Sequence, residues 1–289
     1  MPSTKDLRDR IRSVSNTAKV TGAMQLIAAS KMNRAQIAVQ KSRSYSDQIT
    51  SVLSVISDEV KGLDLLEILP LLKTRTVKKT LMLLITPDRG LAGPLVSNLN
   101  KEAGEFITKS KAPVSVVTIG KKGERFIART SQDLLASYSV PDRPKLEDIL
   151  SVSKFLISQY ENENFDKVVI IYSRFLNTAV QVPETKIILP VSSLEKNEIY
   201  SGEFIYEPDP VSVLKQLIPR YVETLIFQSV LEAIASEHSS RMVAMQNATD
   251  NANELIDELT LDLNKARQES ITSELLDIVG GVTALESKK

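Results

Sequence analysis

The chain has 289 residues, 36 basic and 36 acidic, with no Cys, no Trp and a single His. The missing cysteines exclude a disulfide framework, thiolate metal sites, a cysteine nucleophile and thiol redox control, and His238 is the only imidazole a catalytic triad could use. With 42% apolar residues a core can be buried, no apolar run approaches the roughly 18 residues of a membrane span, and no signal-peptide pattern is visible. The expectation is a soluble cytoplasmic protein of one large domain, or of one compact domain with a long extension.

The first 46 residues are strongly basic. Lys5, Arg8, Arg10, Arg12, Lys19, Lys31, Arg34, Lys41 and Arg43 are opposed only by Asp6 and Asp9, a net charge of +7 that suits an acidic surface or a phosphate backbone. Alternate steps of four and three from Leu7 pass through Ile11, Val14, Ala18, Thr21, Gln25, Ala28, Met32, Ala35, Val39, Ser42, Ser46, Ile49, Leu53, Ile56 and Val60. Most of these are apolar, and no proline lies between Pro2 and Pro70. The spacing predicts one coiled-coil helix of about 55 residues, roughly 80 Å long at ~1.5 Å per residue. Ser3 followed by Asp6 has the form of a capping box. The middle of the seam is small and polar, which lets two backbones come close.

Residues 70 to 208 change character. Lys79–Thr86, Val114–Ile119, Lys167–Ser173 and Lys186–Val191 are short apolar runs rich in β-formers, and Leu95–Lys109 and Leu146–Asn162 between them read as helices. Buried strands alternating with helices predict a small α/β layered domain with a mainly parallel sheet.

The C-terminal third returns to the first pattern. Phe227, Leu231, Ile234, His238, Arg241, Met245, Ala248, Ala252, Leu255 and Leu259 keep the four-three spacing, and Pro210 and Pro219 are expected to start helical segments rather than to sit inside one. Pairing the two long helices antiparallel is the simplest way to bury both seams; pairing each with a copy of itself is the alternative. Asn247–Asn253 is rich in poor helix formers and needs neighbours to hold it helical. The end, Leu275 to Leu285, is apolar enough to suit a socket on another protein.

The search for catalytic chemistry is thin. Pro87-Asp88-Arg89-Gly90-Leu91-Ala92-Gly93-Pro94 follows the first strand, where a nucleotide-binding fold places its phosphate loop. It lacks the Lys-Ser/Thr of a P-loop and reads better as a tight strand-to-helix turn. Gly120-Lys121-Lys122-Gly123 is weaker still. His238 interrupts a heptad seam, where a polar residue fixes register or meets a partner. No carboxylate cluster has metal-ligand spacing, so neither metal nor cofactor is expected. The basic helix has no aromatic residue before Tyr45 for base stacking, which speaks against a nucleic-acid rod.

Taken together, several segments resemble one family: Arg10–Thr17 and Ala23–Met32, D-R-G-L-A-G at Asp88–Gly93, Y-S-R-F-L-N-T at Tyr172–Thr178, Y-E-P-D-P at Tyr206–Pro210, Ser236–Ala252 and Asn264–Gly281. In this order and spacing the chain resembles the gamma subunits of F-type ATP synthases, the central rotor shafts. The resemblance implies a long antiparallel coiled coil of the terminal helices (1–69 and 209–289) and a small Rossmann-like α/β domain (70–208). It implies a non-catalytic subunit with no cofactor and no metal, peripheral on the cytoplasmic face of the cell membrane and without direct membrane insertion. Its partners would be the alpha and beta subunits, the epsilon subunit and the c-ring, and no nucleic acid. By matching motif, Met24, Lys31, Arg34, Arg241, Gln268, Thr272 and Glu274 would face the alpha–beta hexamer, and Tyr206 the base of the stalk. Ala92 and Gly22 stand where the family often has Cys and Lys, and the short stretch from Pro190 to Gly202 leaves no room for a redox-regulated insert. A self-associating coiled-coil scaffold is the competing reading.

Overall fold

The computed structural model describes residues 3–59, 69–191 and 206–286. It falls into two compact units, one taking the chain up to Ile27 and from Met242 onward, the other Ala28–Arg241. Two long helices contribute to both: α1 over Thr4–Glu59 and α5 over Pro210–Glu286.

The first unit consists of the start of α1 and the far part of α5. The predicted capping box is present, with the Ser3 amide donating to Asp6 and the Asp6 amide donating back to the Ser3 hydroxyl, each at 3.2 Å. The two helices run antiparallel, since Thr21 shares a hydroxyl–hydroxyl bond of 2.7 Å with Thr249 and the Gln25 amide donates to Gln246. Leu7 and Ala18 are buried on one side of the seam, Met245, Ala252 and Leu259 on the other. Asn247–Asn253 is helical throughout, held by Ala252 in the seam and by the Thr249 bond. One expectation fails here. Leu255 is exposed and Ile256 takes its place in the seam. A four-three ladder from Met245 can reach Ala252 through Ala248 or Thr249, and the hydrogen bond to Thr21 selects the Thr249 side. By the same register Thr4 is level with Ala266, and Arg267–Val279 is exposed at every position.

The second unit is built on a five-stranded sheet. β1 (Thr80–Ile85), β2 (Val114–Ile119), β3 (Asp133–Tyr138), β4 (Lys167–Phe175) and β5 (Gln181–Leu189) lie in the order 3-2-1-4-5; the first four are parallel, and β5 runs antiparallel to β4. Side chains alternate across a strand, and β1 is buried on both faces. Leu81, Leu83 and Ile85 enter the larger core with α4 (Leu146–Glu161) and with Ile49, Leu53 and Ile56 of α1 and Leu214, Ile218, Val222 and Ile226 of α5. Met82 and Leu84 enter the smaller core, closed by α2 (Leu95–Lys109) and Ile127 of the short α3 (Lys121–Ile127). The sheet is therefore a middle layer. The α1 seam reads as predicted through Ile56, every position being buried or half-buried; Val60 lies outside the described residues.

Three elements depart from the sequence reading. β3 was not expected: its alternating half-exposed pattern, DLLASY, marks a strand at the sheet edge rather than an apolar run. α3 was not expected either, because seven residues are too few to show a helical period. Pro210 starts α5 as predicted, with Asp209 accepting the Ser212 amide at 2.9 Å, but Pro219 sits inside the helix. An interior proline removes one backbone bond and costs ~3 kcal/mol. The helix passes through it because Ile218, Tyr221 and Val222 are anchored in the core, while Lys215, whose carbonyl loses its donor, is on the exposed side. Most of Pro190–Gly202 lies outside the described residues.

Candidate functional site

In an open α/β sheet a ligand crevice forms at the carboxyl ends of neighbouring strands whose connections leave in opposite directions. Here those strands are β1 and β4, with β2 and β3 on one side and β5 on the other. The loops at this point are the two central motifs, Asp88–Gly93 after β1 and Phe175–Thr178 after β4. The crevice is filled by α5. Ser236 donates to the Ser173 carbonyl at 2.9 Å, Ser239 to that of Thr178 at 2.7 Å and Ser240 to that of Ala92 at 2.7 Å. Arg241 donates to the Gly90 carbonyl at 3.2 Å and to Glu237 at 2.7 Å.

The turn after β1 carries its strain at Leu91 and Gly93, with φ of 61° and 53°. Glycine adopts that conformation freely; Leu91 is held in it by the fixed loop around it. The first amide of α3, where a phosphate would seek a donor, is already taken by Asp88 at 2.9 Å. Gly120 and Gly123 serve packing: a Cβ on Gly120 would lie 1.9 Å from the Thr86 carbonyl oxygen, and the Thr86 hydroxyl accepts the Gly123 amide at 2.7 Å. The Asp88–Gly93 loop thus builds the turn that receives α5, through the Gly90 and Ala92 carbonyls, while Gly120 and Gly123 pack against Thr86.

Around this contact is a charged cluster. Lys31 pairs with Asp142, and Arg241, with only 12% of its side chain exposed, lies among Glu237, His238 and Gly90. Burial, reinforced by the Arg241 charge, pushes His238 down to about 4, and burial raises Glu237 against the pull of Arg241. The Lys31 ammonium holds Asp142 below the usual carboxylate range. Lys31 and Arg241, about 210 positions apart in sequence, therefore belong to one site.

The other predicted residues are distributed. Met24 is half-buried on α1, and Arg34 is exposed, its guanidinium returned to the Ser30 carbonyl at 3.2 Å. Gln268, Thr272 and Glu274 are exposed on the last turns of α5, with the Thr272 hydroxyl donating to the Gln268 carbonyl at 2.9 Å. Tyr206 is half-buried against the larger core, just before α5. Of the nine basic residues of α1, seven are exposed; Lys31 and Arg43 are half-buried and tied to Asp142 and Glu232. Ile271, Leu275, Leu276, Ile278 and Val279 are each at least half exposed, and the apolar residues from Gly280 on lie outside the described side chains. The residues missed from sequence are the serines of Ser236–Ser240 and their backbone acceptors. Their only signal was three small hydroxylated residues at helical spacing within a run otherwise suited to packing.

Among the described residues no group of His, Asp and Glu could hold a metal ion, and no helix is long and apolar enough to cross a membrane.

The ATP synthase family model matches residues 3–285. The ATP synthase gamma chain of Dehalococcoides mccartyi strain 195 is 48% identical over 286 residues, covering 99% of this chain and all of that one. That of Chloroflexus aurantiacus is 46% identical over 295 residues, with 99% of this chain and all of the relative covered. Among solved structures, a chain of the Euglena gracilis mitochondrial ATP synthase (OSCP/F1/c-ring) is 17% identical with a TM-score of 0.67, covering 99% of this chain and 95% of that one. A chain of the Tetrahymena thermophila mitochondrial ATP synthase central stalk and c-ring is 22% identical with a TM-score of 0.61, covering 79% and 99%. The relatives fix the family and the solved structures agree in fold: this chain belongs to the ATP synthase gamma-chain family.

Proposed function

We propose that this chain is a non-catalytic rotating shaft that couples ion flow through a membrane c-ring to ATP synthesis and hydrolysis in an alpha–beta hexamer. The observation that carries the reading is the end of α5. Past the level where α1 begins, every residue of Arg267–Val279 is exposed, apolar ones included, on a helix that needs a surrounding sleeve to cover them. The hexamer supplies such a sleeve. Met24, Gln268, Thr272 and Glu274 in the first unit, and Lys31, Arg34 and Arg241 in the second, would contact it, with the exposed basic residues of α1 facing acidic loops of the beta subunits. Tyr206 and the α/β region 70–208 would face the epsilon subunit and the c-ring, and 1–69 and 209–289 would form the shaft. The Euglena and Tetrahymena assemblies contain a c-ring, consistent with that arrangement. The subunit would be peripheral, on the cytoplasmic face of the membrane.

The mechanism is differential binding. A shaft that is not threefold symmetric presents a different face to each of three beta subunits, and each ~1.4 kcal/mol of difference in contact shifts an affinity tenfold. Rotation moves every site through binding, synthesis and release; by linkage, hydrolysis drives the shaft the other way. No step requires a reacting group on this chain. The α5-filled crevice supports that division of labour, because the place where such a fold would hold a nucleotide is taken by the shaft itself.

The test is ATP hydrolysis by the cognate alpha and beta subunits with and without this chain. The expected result is a complex with one copy per three alpha–beta pairs, sustained hydrolysis that depends on the chain, and impairment by Met24→Lys or Arg241→Ala. Failure to bind the alpha and beta subunits overturns the reading.

A further inference from the structure

Helical serines and threonines usually return their proton to the carbonyl one turn back. On α5 this holds for Thr224 to Arg220, Ser229 to Leu225 and Thr249 to Met245, at 2.8 to 2.9 Å. Ser236, Ser239 and Ser240 break the habit. All three are buried, at 0, 0 and 8% exposure, and all three donate outside the helix, to the carbonyls of Ser173, Thr178 and Ala92. Spaced i, i+3, i+4, they share one face of α5. Their acceptors are loop and strand-end carbonyls at the carboxyl ends of β1 and β4; the Thr178 carbonyl also accepts from the Gln181 side chain at 2.9 Å and that of Ala92 from the Leu95 amide at 3.3 Å, so both loops are held in place by bonds of their own. Small side chains are needed there, since the backbone of α5 must come within one hydroxyl of two loops. Arg241 extends the row to Gly90, and Arg43 of α1 joins it by donating to the Phe175 carbonyl at 3.3 Å and to Glu232 at 3.0 Å.

In sequence the sheet joins α5 only through residues 190–209, about seven helical turns before Ser236. A twist carried by α5 at the level of Ser236–Arg241 thus reaches the sheet sideways, through side-chain contacts rather than along the chain. Interdigitated apolar side chains hold α5 against the sheet nearer its start; at Ser236–Arg241 hydrogen bonds to fixed carbonyls add direction and so fix the angle of the helix against the loops. We propose that Ser236, Ser239 and Ser240 are pins that key the α/β layer to the shaft, so that rotation of the helix and rotation of the layer stay in step. They are positioning residues: none touches a nucleotide or an ion. The inference rests on the rotor reading given above.

The test uses the complete enzyme in sealed vesicles, with ATP hydrolysis and ATP-driven uptake of protons or sodium measured on the same preparation. The three serines are changed to alanine singly and together, and Ser239→Thr keeps one hydroxyl in place. The triple variant is expected to hydrolyse ATP at a parental rate per assembled complex, while the ions moved per ATP fall severalfold. Single variants fall less, and Ser239→Thr stays closer to the parent than Ser239→Ala. Because each single variant removes one pin, the result does not depend on assembly of the triple one. If hydrolysis and uptake fall together at a constant ratio, the serines only stabilise the fold and the proposal is overturned; an unchanged ratio at full activity overturns it equally. A parental enzyme that never couples hydrolysis to uptake removes the rotor reading itself, and the pins with it.

Discussion

The same two helices meet under different conditions in the two units. In the first, Leu7, Met245 and Leu259 are the larger buried side chains, and much of the contact is made by small and polar residues: Ala18, Thr21 and Gln25 against Gln246, Thr249 and Ala252. In the second, α1 and α5 carry Ile49, Leu53, Ile56, Leu214, Ile218, Val222 and Ile226 into a core shared with the sheet. Stability of the first kind comes from close backbone approach and a few directional bonds worth about 1 kcal/mol each, and of the second from apolar burial worth ~1.5–3 kcal/mol per large side chain. In the proposed rotor, a helix pair that turns inside a sleeve gains from a slender seam, and a base that bears load gains from a wide core. On that reading one sequence period serves two mechanical ends, depending on which residues occupy it.

The difference can be tested where it should be largest. Leu53→Ala, at a side chain with no exposure, should lower the unfolding free energy of the isolated chain by about 2–5 kcal/mol, read as a shift of the urea midpoint. A cost under 1 kcal/mol would mean that the second unit is no better packed than the first.

The next effect depends on pH. His238 is buried beside Arg241, with its pKa pushed down to about 4 from 6.5. Above pH 6.5 neither the folded nor the unfolded chain binds the proton. Below that value the unfolded chain takes it first, so stability falls with pH until about 4, by roughly 1.4 kcal/mol per unit across the window. His238→Gln should flatten this part of the pH profile relative to the parent, measured by urea titrations at pH 7, 6 and 5. Parallel profiles for the two proteins would place the titrating group elsewhere.

The smallest effect belongs to the first unit. Thr21→Val and Thr249→Val, singly and together, should give a coupling energy of about 0.5–1.5 kcal/mol in a double-mutant cycle, the net worth of one part-buried hydrogen bond. Coupling indistinguishable from zero would leave the register of that seam to apolar packing alone.

How far the fold was legible follows from the same physics. The α1 seam was readable because a period repeated over many turns averages out its polar exceptions, so Thr21, Gln25, Ser42 and Ser46 did not hide it. Central strands were readable because both faces are buried, as in TLMLLI of β1. β3, half exposed and alternating, gave no such run. Pro219 was misplaced because local propensity argues for a break that core contacts on both sides override. Leu255 was misplaced because two registers share Met245, Ala252 and Leu259, and a cross-helix bond chose between them.

By itself the sequence determined the elements with a strong period, the absence of thiol chemistry, the concentration of positive charge on α1 and, through its motifs, the family. It could not show what the D-R-G-L-A-G and Y-S-R-F-L-N-T motifs are for, because their partners, Ser236 to Arg241, stand about 150 and 60 residues away. Nor could it show that Lys31 is matched by Asp142 and Arg241 by Glu237 within the chain. Hydrophobic period is a local property, written in every turn of a helix. A hydrogen bond from a serine to a distant carbonyl has no local signature, and only the tertiary structure decides which backbone oxygen stands opposite it.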